Sequence, residues 1–229
     1  MTNFDMQKLC RDTIQYAMHH IVPGLKLTDV REMCEQYMLA NGADSFWYWN
    51  IGAFVFSGKE TTVSVSGKTY RTSDCFLEEN DILTIDLSPQ SQSVWGDYAR
   101  TIIIEDGKVI QNLNEIKNTE WKNGLCTEIF LHSMLMKNVT EDMTFQDLFY
   151  FINSCILKRG FVNLDFNGNL GHSIETDMRK RKYIEKGNRK KLSDVKMFTL
   201  EPHICVPNSN YGYKMENIYF FRDGKIYEL

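Results

Sequence analysis

Two stretches of this chain read as copies of one design, and they constrain its fold more than any other feature. They are DILTIDLSPQSQSVWGDYARTIIIEDGK (residues 81–108) and KMFTLEPHICVPNSNYGYKMENIYFFRDGK (residues 196–225). Each opens with an apolar run that contains Thr and ends in a carboxylate, Asp86 or Glu201. Each then passes a turn-forming stretch, meets a further acid, Asp97 or Glu216, and runs through an aliphatic or aromatic strand to Asp-Gly-Lys. Apolar segments flanking clusters of Pro, Asn and Ser predict antiparallel hairpins.

Residues that face each other across such a hairpin share a constant index sum, so the midpoint of a facing pair falls in the turn. Asp86 and Asp97 centre between Ser91 and Gln92; Glu201 and Glu216 centre between Asn208 and Ser209. Each acid pair is therefore expected directly across its hairpin, with Cβ atoms about 5 Å apart on one face. Four carboxylates brought together in a mostly apolar sheet repel one another, and each costs several kcal/mol to desolvate unless compensated. The fixed cations nearby are Arg100 and Lys214; a pair of divalent metal ions supplies more charge in less space. Oxygen-rich ligation suits Mg, Ca or Mn, and one imidazole shifts the choice toward Mn, Fe, Co or Zn. His172, in Gly171-His172, precedes the second hairpin and offers that imidazole, whereas His19, His20 and His132 fall in predicted helices and are assigned surface or core roles.

The rest of the chain frames these hairpins. Apolar spacing at Phe4, Leu9, Ile14, Ala17, Met18 and Ile21 predicts a helix stopped by Val22-Pro23-Gly24. Thr28 is the expected N-cap of a second helix, with Val30, Met33, Tyr37 and Met38 turned inward and Asn41-Gly42 at its end. Residues 46–56 and 62–66 read as strands. The order then repeats: a helix over 114–137, Thr144 capping another over 145–158 that ends at Arg159-Gly160, strand-forming residues, and the second hairpin. Helix-helix-strand-hairpin occurring twice predicts an α+β fold with two similar halves, about 1–110 and 111–229, related by a pseudo-twofold within one domain.

No apolar run approaches the roughly 20 residues that cross a bilayer, and the N-terminus lacks the charged-then-apolar layout of a secretory signal. Six scattered cysteines without a CxxC pair are expected to be reduced thiols in a cytoplasmic enzyme. The formal charge of −4 names no partner, but eight of the thirteen residues 179–191 are Lys or Arg. That run is either a solvated loop or the rim of a pocket for an anionic substrate.

The order Asp, Asp, His, Glu, Glu, with a step of eleven between the first two, resembles the pita-bread metallopeptidases (M24), a group that includes methionine aminopeptidase, prolidase, aminopeptidase P and creatinase. The residues that carry the likeness are Ile85-Asp86, Gly96-Asp97-Tyr98-Ala99-Arg100-Thr101, Gly171-His172, Thr199-Leu200-Glu201-Pro202 and Met215-Glu216-Asn217, with Val22-Pro23-Gly24 fitting as well. The short step from Glu201 to Glu216 looks more like the Xaa-Pro branch, whose additional N-terminal domain is not expected in this chain. The resemblance implies two divalent ions (Mn, Fe, Co or Zn), with Asp86 on one, His172 and Glu201 on the other, and Asp97 and Glu216 bridging. It makes Glu201 the general base that passes a proton to the leaving nitrogen.

The chain departs from the family around that set. Residues 57–74 lack the histidine expected ahead of the first hairpin and offer Ser64 and Ser66 instead. Arg179 stands where a second histidine is expected seven residues after His172; Gly168 replaces the branch's histidine four before it, and Lys214 its arginine two before Glu216. Arg179 and Lys214 thus become substrate-binding candidates. His203, two beyond Glu201 and on the same strand face, joins Glu201 as a catalytic candidate.

The expected function is a dinuclear metal-dependent hydrolase of a C–N bond in a peptide or small amide, Xaa-Pro peptidase-like with an altered substrate shell. The alternatives are a specialised metalloenzyme for a small metabolite, iron-dependent and using oxygen, and a pita-bread binding protein without catalysis, which retention of five ligands disfavours. The expected partner is a small molecule or short peptide, anionic if the basic run borders the pocket. No membrane is expected, nucleic acid is disfavoured by the chain's acidity, and oligomerisation is left open.

Overall fold

Thr2 caps the first helix reciprocally with Asp5, its hydroxyl accepting from the Asp5 N–H while the Asp5 carboxylate accepts from Thr2. The computed structural model describes residues 1–229. Helix α1 (Asn3–His20) leads to α2 (Leu27–Ala40), β1 (Ser45–Phe46), β2 (Ala53–Ser57) and then β3 (Asp81–Leu87). Next come β4 (Pro89–Ser91), β5 (Val94–Trp95), β6 (Tyr98–Glu105) and β7 (Lys108–Ile110). The second half holds α3 (Thr119–Asn138), α4 (Phe145–Lys158), β8 (Val162–Asn163), β9 (Phe198–Leu200), β10 (His203–Cys205), β11 (Gly212–Lys214), β12 (Asn217–Arg222) and β13 (Lys225–Glu228).

All strand pairs are antiparallel, in the orders β2-β3-β6-β7, β1-β4-β5, β11-β10-β8 and β13-β12-β9. The two hairpins lie side by side: Glu216 donates its N–H to the Ala99 carbonyl at 3.0 Å, and the Lys214 N–H reaches the Thr101 hydroxyl at 2.8 Å. Strand alternation then sorts the residues. Leu83, Ile85 and Leu87 of β3 pack with Leu9, Ile14, Val30 and Met38 of α1 and α2. Phe198, Leu200 and Tyr213 pack with Leu131, Phe145, Leu148 and Ile152 of α3 and α4. The intervening positions Thr84, Asp86, Glu201, His203 and Lys214 line a cavity on the opposite face. This is the α+β pita-bread architecture, with helices on one side of the paired hairpins and the acids on the other.

Several local expectations are corrected. Thr28 lies inside α2, whose N-cap Lys26 makes no side-chain cap bond. Cys34 is fully buried at the centre of its stripe, where Met33 and Tyr37 are half-buried. Residues 62–66 are not a strand: Gly58–Thr62 is a 3₁₀ turn, closed by Thr61 bonding back to the Gly58 carbonyl. The helix expected over 114–137 starts at Thr119, because the Asn118 side chain caps it. Its inner face carries Thr127, Glu128 and His132, so Ile129 faces outward. Gly124 lies there too; a Cβ would fall inside the Tyr213 ring, so a side chain would force α3 away from β11. Thr144 caps α4 as expected, in a reciprocal pair with Asp147.

Candidate metal centre

Asp86 sits at the end of β3, and the β3–β6 register pairs it with Ala99 rather than with Asp97. The same register runs on through Ser91↔Val94, so the hairpin turns at Gln92 and Ser93, one residue later than the index sum implies. Asp44 causes the slip from outside the hairpin. Its carboxylate accepts from the Gln92 N–H at 2.8 Å, holding Gln92 in the left-handed region at φ 57. Asp97 is therefore a diagonal neighbour of Asp86 on the same face, a separation of about 7–8 Å between Cα atoms. The second hairpin keeps the expected register: His203↔Lys214 and Leu200↔Asn217 flank the acids and leave Glu201 opposite Glu216.

Each donor is held by its surroundings. Gln7, buried on α1, donates to the Asp97 carbonyl at 2.7 Å and accepts from its N–H at 3.2 Å. Arg100 donates to the Glu216 carbonyl at 2.9 Å and to Asn217 Oδ1 at 2.7 Å. His172 follows Gly171, and its N–H reaches the Thr199 hydroxyl at 3.1 Å. Sequence reasoning missed Gln7; its signal is a polar residue inside the buried stripe of α1.

His172 defines the chemistry of the site. Its Nδ1 lies 3.0 Å from the Ser173 carbonyl, an acceptor only, so Nδ1 carries the proton and Nε2 presents a lone pair. Nε2 faces Asp97 Oδ2 at 3.4 Å and Glu201 Oε1 at 3.7 Å. Burial, reinforced by Arg181, holds the imidazole neutral with a pKa of about 3, so these are not ion pairs but lone pairs aimed at one another. Asp97 Oδ2 and both Glu216 oxygens are buried without a hydrogen-bond partner. Burial first, and then the neighbouring acids, push the carboxyls of Asp97 and Glu216 well above the usual range. Donor atoms of Asp97, His172 and Glu216 lie within 4.8 Å of one another. The 3.4 Å spacing is about the edge of a tetrahedron whose arms are roughly 2.1 Å, the length of a Zn–N or Zn–O bond. These residues fit a divalent ion.

The remaining acids are differently placed. Lys214 Nζ bonds to Asp86 Oδ2 and lies 3.3 Å from Glu201 Oε2. Burial alone would depress the ammonium, but Asp86, Glu201 and Glu216 outweigh it and hold it charged. Lys214 thus engages the acids, although it also lines the cavity. His203 lines the cavity as well, with Nε2 2.6 Å from the Thr61 carbonyl, which leaves Nδ1 as an acceptor. Burial lowers its pKa to about 4.

The structure does not bring Arg179 to the cavity. Its side chain is 90% exposed and paired with Asp177, because residues 178–180 form a 3₁₀ turn capped by that acid. Arg181 lines the cavity instead, with Cζ 5.3 Å from the rings of Trp47 and Tyr183 and 5.5 Å from Tyr48. Trp47 meets His172 edge-on at 5.6 Å, placing the guanidinium beside the donor set. Ser64 stands at the cavity wall and accepts from the Phe166 N–H, while Ser66 and Gly168 do not line it. His19 and His20 are exposed on α1, and His132 is buried between the Tyr219 hydroxyl and the Met215 carbonyl. All six cysteines are unpaired, and no helix is long and apolar enough to cross a membrane.

The two-sided hairpin frame thus carries a buried carboxylate–imidazole set on one face, a candidate metal centre. Residues 5–223 match the model of metallopeptidase family M24, and the chain belongs to that family. It is 29% identical over 210 residues to a methionine aminopeptidase of Helicobacter pylori, covering 86% of this chain and 76% of that relative. Among solved structures it superposes on the prolidase from Pyrococcus horikoshii with a TM-score of 0.81 at 19% identity, and on the X-Pro aminopeptidase from Thermotoga maritima with 0.79 at 18%. Each superposition covers 97% of this chain, which spans 59% and 58% of those two proteins.

Proposed function

We propose that this protein is a metal-dependent hydrolase that cleaves a C–N bond in a short peptide or small amide carrying an anionic group. The observation that carries the reading is the His172 Nε2 lone pair facing Asp97 and Glu201 oxygens beside the unpartnered Glu216 carboxylate. Asp97, His172 and Glu216, with Glu201 at their edge, would hold the ion. A bound divalent ion supplies Lewis-acid activation of a carbonyl and of water.

The chain's own residues do the rest. Glu201 is the base: its carboxylate borders the cavity, takes a proton from the attacking water and returns it to the leaving nitrogen as the C–N bond breaks. His203, its tautomer set by Thr61, offers an Nδ1 acceptor to the substrate from the same strand face. Arg181, backed by Trp47, Tyr48 and Tyr183, is the anion anchor in place of Arg179. Trp47, Tyr48, Phe54 and Phe56 give the cavity an apolar wall. The Xaa-Pro-like fold neighbours and the methionine aminopeptidase relatives support peptides as the first substrates to test. Six unpaired cysteines support a reducing, cytoplasmic setting.

The test is metal analysis of the purified protein, followed by assay of Mn-, Co- and Fe-loaded protein against dipeptides, including Xaa-Pro substrates. Asp97→Asn is expected to weaken metal binding by more than about 100-fold, beyond the cost of an outer-shell change, and to abolish hydrolysis. A protein that never binds Mn, Co or Fe overturns the reading.

A further inference from the structure

The donor atoms divide into two groups. Asp97, His172 and Glu216 converge within 4.8 Å, and the partnerless carboxylate oxygens, Asp97 Oδ2 and both oxygens of Glu216, belong to this group. Asp86 lies on the other side with a partner already in place, because the Lys214 ammonium bonds to its Oδ2. Glu201 is shared, one oxygen 3.7 Å from His172 Nε2 and the other 3.3 Å from Lys214 Nζ.

Resting on the metal-hydrolase reading, we infer that this centre holds one divalent ion and that the Lys214 ammonium takes the place of a second. The second ion that the resemblance implies would take Asp86 as its own ligand with Asp97 and Glu216 bridging, and Oδ2 of that Asp86 already bonds to Nζ. With ligand bonds of about 2.0–2.2 Å to Asp86, a dication there would lie close to the ammonium that already bonds to the same carboxylate, and the two repel.

The backbone that carries the ammonium is held as well. Its backbone is pinned to β6 in both directions, the Lys214 N–H donating to the Thr101 hydroxyl at 2.8 Å and that hydroxyl donating to the Lys214 carbonyl at 3.0 Å. β11 is also paired with β10 through His203↔Lys214. The strand cannot slide to carry the side chain away. Lysine also differs here from the arginine that the Xaa-Pro resemblance leads one to expect. An ammonium is a compact point charge, as a metal ion is, whereas a guanidinium spreads its charge over a planar fork of five donors. Asp86 and Glu201 thus keep a resident countercharge, and the residues that would hold the ion are Asp97, His172 and Glu216.

The test loads the full chain with Mn²⁺, counts Mn per chain by mass spectrometry and records the electron paramagnetic resonance spectrum. The wild type is expected to bind one Mn²⁺ per chain and to show the hyperfine-split signal of an isolated ion. Two ions per chain with an exchange-coupled spectrum overturn the inference while leaving the hydrolase reading standing. No bound Mn²⁺, Co²⁺ or Fe²⁺ overturns both. Lys214→Met is expected to admit a second ion and to give the coupled spectrum; a variant that folds and still binds one ion also overturns the inference. If that variant does not fold, the wild-type count and spectrum decide alone.

Discussion

Gly171→Ala tests the coupling between backbone geometry and the candidate metal centre. Gly171 holds φ at +142°, a conformation that side chains rarely adopt. A Cβ there would fall well inside contact with the Thr199 carbonyl oxygen and 3.0 Å from the Thr199 carbonyl carbon and Oγ1. The atom it meets first is backbone, which cannot rotate aside. Thr199 is also bound to the next residue, donating its N–H to the His172 carbonyl at 2.7 Å and accepting from the His172 N–H at 3.1 Å. Relieving the clash therefore moves His172. An unfavourable backbone conformation costs about 1–3 kcal/mol, and overpacking a buried site costs about 1–3 more. A loss of about 2–6 kcal/mol should lower the thermal midpoint by roughly 4–24 °C at the 2–4 °C per kcal/mol usual for this size. Calorimetric melting of the metal-free protein, with Mn²⁺ titration by isothermal calorimetry, measures both effects. A midpoint within about 1 °C of wild type, corresponding to less than about 0.5 kcal/mol, with unchanged Mn²⁺ affinity, would refute the reasoning.

Three further outcomes follow from particular contacts. Thr144→Ala removes the hydroxyl that caps α4 and leaves Asp147 half of its reciprocal pair; the loss should be about 1 kcal/mol, read as a 2–4 °C lower midpoint. Glu128 is buried with both oxygens unpartnered, and burial raises its pKa well above the ordinary value. The folded state therefore binds its proton more tightly than the unfolded state, so its contribution is complete below the unfolded pKa and declines as pH rises toward the folded one. Glu128→Gln removes that decline, and the variant should gain on wild type in urea midpoint between about pH 5 and pH 8; parallel pH profiles would count against it. Arg181→Met should raise KM about 10- to 100-fold for a dipeptide with a free carboxylate, at unchanged kcat, while a C-terminally amidated analogue is little affected, since charged hydrogen bonds contribute about 1.5–3 kcal/mol.

The frame could be read from the sequence where one physical cause acted alone. Thr144 and Asp147 are three residues apart at the start of an apolar period, and they form the cap that spacing implies. The second hairpin turns where its index sum places the midpoint, with Asn208 in the left-handed region at φ 66. Errors arose where a distant group intervened. Asp44 shifts the first turn by one residue. Polar residues on the inner face of α3 hid its true stripe, because Glu128 and His132 are buried by the packing of the second half rather than by their own hydrophobicity. Residues 62–66 alternate as a strand does, yet they pair with no strand.

The five candidate donors illustrate the same limit at the site. Their residue types and order are local properties, and strand parity places Asp86, Asp97, Glu201 and Glu216 on one face. Which acid meets which cation depends on the register between hairpins, set by Ala99↔Glu216 and by the Thr101 hydroxyl, and no index sum within one hairpin contains it. That register brings Lys214 to Asp86 while leaving Asp97 and Glu216 without partners. Arg179 and Arg181 differ in a similar way. They are two residues apart in one basic run, but the Asp177 cap holds the first in solvent while the second rests against Trp47, Tyr48 and Tyr183. A charge count finds the run but not the residue, because selection among neighbouring cations comes from an aromatic wall to which both halves of the chain contribute.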